Sequence, residues 1–254
     1  MGKIFDDYVK KCQGFWSSNY STFSQLTNPS HLNQKAPYPG FEVAVFNDRG
    51  KGGTHGSNVY EKENGLLIVG CNPSGIAKHH NYRKPVPCYE NPDCKNFYII
   101  NTYPLANDPY TYAIEDFAKK CGYGQNYYKM DFIGIMRKEQ RVLEDDMNNG
   151  LHNTLYAKLF EIFVDTVIAL KPEKIVIVNA FISNLICDRK KKYKNIINGH
   201  VSIGPNRNQK GGLPVSFSIN GKVFDSTIWF SSMLSGQRAL DNGNKGLLIW
   251  AVHK

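Results

Sequence analysis

Asn72 is the residue whose type and setting most invite chemistry. It stands in Gly70-Cys-Asn-Pro-Ser-Gly75, directly after the apolar run Leu66 to Val69. A short β-branched run bounded by glycines reads as a strand buried on both faces, the kind found in parallel sheets. In open α/β sheets the loop past a strand's carboxyl end is where ligands bind. A carboxamide both donates and accepts hydrogen bonds, so it can orient a water or a polar ligand. Around it stand a rigid proline (Pro73), a small hydroxyl (Ser74) and a permissive glycine (Gly75). The structural alternative is that Asn72 only caps its own turn.

Three other stretches carry polar groups in suggestive places. Asp131 follows Met130 at the start of Met130-Asp-Phe-Ile-Gly-Ile-Met136, which reads as a second buried strand. On its own it reads as a strand-end hydrogen bonder. Phe230-Ser-Ser-Met-Leu-Ser-Gly-Gln-Arg238 is a hydroxyl-rich loop after a last strand. Asp188-Arg-Lys-Lys-Lys-Tyr-Lys194 is a basic run, either a solvated helix end or a phosphate-facing patch. His79, His80, Cys88 and Cys94 raise the question of zinc. Their spacing is loose and adjacent histidines rarely share one ion, so an active-site flank carrying Tyr82 and Arg83 is the better reading. Arg49-Gly-Lys-Gly-Gly-Thr54 lacks full nucleotide-loop spacing and reads as a turn.

The elements that must position these groups follow from periodicity. Ile4, Phe5, Tyr8, Val9 and Cys12 have helical spacing, whereas Thr27 to Tyr60 is broken by prolines and glycines around the strand-like Phe41–Phe46. Phe97–Ile100 is a short strand-like or helical piece. Pro109–Cys121 reads as a helix closed by Gly122, and residues 151–170 as a long amphipathic helix stopped by Lys171-Pro172. Lys174–Val178 is a third buried strand, followed by a helix from Asn179. Val215–Ile219 and Lys222–Phe224 flank Asn220-Gly221, the strongest short hairpin signal, and Thr227–Phe230 is the last strand. The expectation is a three-layer α/β/α sandwich around a central, mostly parallel, four-stranded sheet. It forms one domain over 1–254, with residues 1–60 as an N-terminal helix and irregular arm packed on a 61–254 core.

Length and composition bound the function classes. A chain of 254 residues with 41% hydrophobic and 21% charged content is an ordinary globular protein. No stretch approaches the about 18 continuous apolar residues of a membrane span. The first residues lack the apolar core of a signal peptide, which places the chain inside the cell, in the cytoplasm. The six cysteines form no framework and read as free thiols. A net charge of +9 points to a polyanionic partner, or else to solubility alone.

Taken together, these segments resemble the uracil-DNA glycosylase superfamily over roughly residues 64 to 254. Gly70-Cys-Asn-Pro-Ser-Gly75 resembles that family's first motif, Gly-x-Asn-Pro or Gly-x-Asp-Pro after the first core strand. Leu170-Lys-Pro-Glu-Lys-Ile-Val-Ile-Val-Asn-Ala180 resembles its lysine-proline, strand, helix-start segment, and Phe230–Arg238 its last motif, usually His-Pro-Ser-x-x-Ser/Asn. The resemblance implies that Asn72 positions a water and that Gly70, Cys71, Pro73 and Ser74 touch a flipped base. Asp131 would read the base's pairing edge where the family often has Asn, Tyr82 would stack, and Phe230 would line the pocket. Leu234 would wedge into the vacated stack unless it is core. Ser231, Ser232, Ser235, Arg238, Lys190, Lys191 and Lys192 would hold DNA. Flipping itself costs a few kcal/mol of unstacking.

Two positions depart from the pattern. Phe230 replaces the usual histidine and cannot donate to a departing base, a loss worth on the order of 3 kcal/mol. Ser74 replaces a bulky tyrosine, so a thymine methyl would not be blocked. No cofactor and no metal are implied. The resulting expectation is a monomeric DNA glycosylase-like hydrolase acting on uracil or a mismatched or damaged base in double- or single-stranded DNA. The alternatives are an inactive nucleic-acid-binding member of the same fold and an enzyme or binder of free nucleotides.

Overall fold

A computed structural model describes residues 3–25, 41–44, 63–71, 97–100, 109–135, 140–150, 152–188, 191–205, 210–234 and 240–253. Eight strands and seven helices lie within them: α1 (Lys3–Gln25), β1 (Phe41–Ala44), β2 (Leu66–Gly70), β3 (Phe97–Ile100), α2 (Pro109–Lys120), β4 (Tyr127–Asp131), α3 (Gln140–Asn148), α4 (Asn153–Leu170), β5 (Lys174–Ile177), α5 (Ala180–Cys187), α6 (Lys194–Ile197), β6 (Val201–Ile203), β7 (Leu213–Ile219), β8 (Lys222–Phe230) and α7 (Asn242–Val252).

The main sheet has six strands in the order β4-β2-β5-β8-β7-β6. β4, β2, β5 and β8 are mutually parallel, and β7 and β6 continue the sheet antiparallel. β1 and β3 form a separate parallel pair. The expected α/β class therefore holds, while the expected four-stranded sheet is corrected to a mixed six-stranded one. The four strands anticipated for that sheet are its parallel half. Of the added strands, β7 comes from the hairpin, where Asn220 and Gly221 both take positive φ (50° and 75°) and turn it tightly into β8, while β6 pairs with its outer edge. β8 is one nine-residue strand rather than two pieces. β4 begins at Tyr127, three residues before the expected start, and ends at Asp131.

Alternation along β2 explains the layers. Leu67 and Val69 face one core, with Tyr128, Met130, Ile175 and Ile177, under α1, α4 and α5. Leu66 and Ile68 face a second, with Tyr127, Val176 and Trp229, under α2 and α7. Leu66 to Val69 are completely buried. Helix α1 lays Phe5, Tyr8, Val9, Cys12 and Trp16 into the first core. Helix α4 ends at Lys171, whose φ of 46° and N–H bond to the Val167 carbonyl close the last turn ahead of Pro172. Its apolar face, Leu159, Phe160, Phe163, Val167 and Ile168, is buried, with Leu155 and Ile162 half-buried.

The approach to β7 is tight at Gly212. A Cβ there would lie 2.5 Å from Cζ2 of Trp229 and 2.6 Å from Cγ2 of Thr227. The Trp229 indole is itself fixed by donating from Nε1 to the Lys210 carbonyl at 3.1 Å. Gly212→Ala is therefore expected to destabilise the protein by about 1–3 kcal/mol through overpacking. The measurement is the urea midpoint, and an unchanged midpoint would show that the strand can shift freely.

Candidate active site at the carboxyl edge of the parallel strands

The strand order creates a switch point. From β2 the chain crosses to β4 on one side, then returns past β2 to β5 on the other. The carboxyl ends of β2 and β5 are thus adjacent where the connections diverge, which is where open sheets bind ligands. Backbone bonds lock the four ends together. Phe132 N–H donates to the Gly70 carbonyl (3.1 Å), Ile133 to Cys71 (2.9 Å), Val178 to Val69 (2.9 Å) and Ser231 to Ile177 (2.8 Å). Gly70 is in register with Asp131, and Ile177 with Phe230.

Of the anticipated site residues, the structure gathers Gly70, Cys71, Asp131, Phe230 and Ser231 at this edge. Ser232 follows, partly exposed. Leu234 is buried in the second core with Val178, Trp229 and Val252, so acting as a wedge would require it to leave that packing. Lys191 and Lys192 are exposed on the turn between α5 and α6, with the Lys192 ammonium 5.9 Å from the Tyr193 ring. Asn72, Pro73, Ser74, Tyr82, Ser235, Arg238 and Lys190 lie outside the described residues, as do His79, His80, Cys88, Cys94 and the 49–54 segment. Among the described residues no three His, Cys, Asp or Glu side chains are grouped to hold a metal. No helix among them is long and apolar enough to cross a membrane.

Several residues at this edge escaped the sequence reading. Asp131 Oδ2 accepts from Lys129 Nζ at 2.5 Å, and both side chains are buried. Two residues apart on one strand, they share a face. Removing one partner of such a pair leaves a buried charge and typically costs about 3–5 kcal/mol. Asn179 caps α5, its Oδ1 accepting from Ile182 N–H at 3.1 Å, and its Nδ2 donates to Gln140 Oε1 at 2.7 Å. Gln140 in turn donates to Glu144. That chain ties α3 to the end of β5. The capping role of Asn179 was legible as a helix start, but its link to Gln140 joins segments 39 positions apart.

The electrostatics keep the thiols neutral. Burial pushes the Cys71 thiol well above its ordinary range, and the negative charges of Asp131 and Glu144 push it further. Cys71 is therefore a protonated wall of the site rather than a nucleophile. Burial likewise raises Tyr8 strongly, with Cys12 and Asp131 adding to the effect, so α1 reaches the field of the Asp131 carboxylate. Cys12 is pushed up to about 12, chiefly by burial.

Beside Phe230 and Ser231 a groove runs along α7, lined also by Lys210, Asn244, Leu247 and Trp250. The Trp250 ring is 60% exposed, and the Lys210 ammonium stands 5.8 Å from its centroid. A cation over an exposed aromatic ring offers a contact for an anion next to an aromatic surface. No protein-family model matches the chain, and no curated protein matches it.

The raised thiols carry a pH prediction. A group whose folded-state pKa lies above its unfolded value contributes fully below the unfolded value and loses that contribution as pH rises through the folded one. For Cys12 the window runs from about 9 to about 12. Stability should fall across it by up to about 1.4 kcal/mol per pH unit for this thiol. Denaturant unfolding of the wild type and of Cys12→Ala between pH 8 and 11 measures it. The expected result is a shallower alkaline decline in the variant, and parallel declines would refute the assignment.

Proposed function

We propose that the chain is a DNA glycosylase-like protein that hydrolyses the N-glycosidic bond of uracil or of a mismatched or damaged base. The observation that carries the reading is the convergence of Gly70-Cys71, Asp131 and Phe230-Ser231 on one edge of a switched parallel sheet. These are the described parts of the first motif, the base-reading position and the last motif. The chain's +9 charge and the Lys210–Trp250 groove beside the same edge support a nucleic-acid partner.

In this reading Asn72 orients a water toward the anomeric carbon. The water oxygen forms the new C–O bond, and the C–N bond breaks with its electron pair leaving on the base. The water's second proton ultimately passes to the base or to solvent. Charge developing on the base needs donors. Phe230 supplies none, so backbone N–H groups near Cys71 and Ser74 carry that role, and the expected acceleration is modest. Burial and the charges of Asp131 and Glu144 raise the Cys71 thiol, which favours water over a thiolate as the attacking group.

The test incubates the purified protein with labelled oligonucleotides carrying uracil in U:A, U:G and single-stranded contexts, together with T:G, and reveals abasic sites with alkali. The expected result is cleavage that falls about a hundredfold or more in Asn72→Ala while circular dichroism stays unchanged. Unchanged cleavage in the variant refutes the role of Asn72. Salt-sensitive retention of DNA without any abasic product would instead establish a binding protein on the same fold.

A further inference from the structure

Resting on the reading of this edge as a base pocket, we infer that Asp131 selects a base presenting a guanine-type edge, a ring N–H beside an exocyclic amino group, over a uracil-type edge. The argument begins with what the side chain can offer. A carboxylate has acceptors only, whereas a carboxamide at the same place would present one donor and one acceptor. Asp131 Oδ2 takes the Lys129 ammonium at 2.5 Å. Among the described residues no other side-chain hydrogen bond to Asp131 is made, and Oδ1 keeps its accepting capacity for a ligand.

Geometry places the carboxylate in front of the ammonium. Lys129 lies two residues earlier on β4, about 7 Å further from the strand's carboxyl end. It is 3% exposed against 9% for Asp131. The group nearer the strand's carboxyl end is therefore the acceptor, and the cation behind it supplies the counter-charge. The remaining titratable neighbours do not reverse this polarity. Cys71 and Tyr8, whose ionisation the Asp131 charge opposes, stay protonated, and the Glu144 charge adds to the negative field at Cys71.

Uracil carries its ring N–H between two carbonyl oxygens. Set against Asp131, that N–H would bond one carboxylate oxygen and bring a carbonyl oxygen against the other. A guanine-type edge instead offers a ring N–H and an amino N–H side by side, matching both oxygens in the fork that guanidinium groups use. A well-formed paired contact of this kind discriminates by about tenfold to hundredfold.

The experiment titrates the full-length chain with 9-methylguanine, 9-methylhypoxanthine and 1-methyluracil, following binding by NMR. The first two differ only in the amino group. The expected result is 9-methylguanine bound at least about tenfold more tightly than 9-methylhypoxanthine. That preference should be lost in Asp131→Asn. Because that change strands the Lys129 ammonium, the double variant Lys129→Met with Asp131→Asn is measured alongside it and should lose the preference too. Equal binding of the two purines, tighter binding of 1-methyluracil, or no binding of any of the three overturns the inference. The oligonucleotide assay, extended to strands carrying 8-oxoguanine, whose ring N–H and amino group present the guanine-type edge, separates this outcome from the glycosylase reading. Abasic product without base preference removes the selection and keeps the activity, whereas base preference without abasic product keeps the selection and removes the catalysis.

Discussion

The structure depends on β2 having no face open to water. Leu66, Leu67, Ile68 and Val69 are each completely buried, so both sides of the strand must be covered and both edges paired. β4 and β5 satisfy the edges, and helices from distant parts of the chain cover the faces. α1, α4 and α5 lie on one side, with α2 and α7 on the other. Parallel pairing on both edges requires crossovers leaving in opposite directions, and such a divergence is where open sheets bind ligands. The location of the candidate site is thus a consequence of how the most apolar strand is buried.

Much of this architecture was legible because it is written in local periodicity. The four parallel strands, the long α4 and the Asn220-Gly221 hairpin follow from apolar runs, a 3.6-residue rhythm and a positive-φ turn. The extra sheet width was not legible for a physical reason. β6 is three residues long and half-exposed, and such an edge strand owes its state to pairing with β7 rather than to any pattern of its own. The start of β4 was missed because Lys129 interrupts the apolar run. The ion pair with Asp131, two residues along the same strand, helps make a buried lysine there tolerable.

The same limit governed the site. Gly70, Cys71, Asp131 and Phe230 could be nominated from motif order, since each is the last residue of a strand or adjoins one. Gln140 and the contribution of Tyr8 could not, because their partners are set by packing, and Lys129 could not, because only the fold shows that it is buried against Asp131. Tyr8 lies more than a hundred residues before the carboxylate that influences it. Its placement gives α1 a part in the site's electrostatics, where sequence pattern had shown only an amphipathic helix.

These buried polar groups also constrain what chemistry the edge can perform. Taking a charge out of water is costly unless a partner and hydrogen bonds compensate. At this edge the compensation is directional: the Lys129 ammonium stands behind Asp131, and Gln140 and Asn179 hold Glu144 within reach of Cys71. Asp131 and Glu144 thus bring negative charge to bear on Cys71 at the strand ends, even though the chain as a whole is strongly basic. Under the proposed function, phosphate belongs on the basic rim and a neutral, donor-bearing group beside the Asp131 carboxylate, and a nucleobase turned away from its backbone would meet both demands at once.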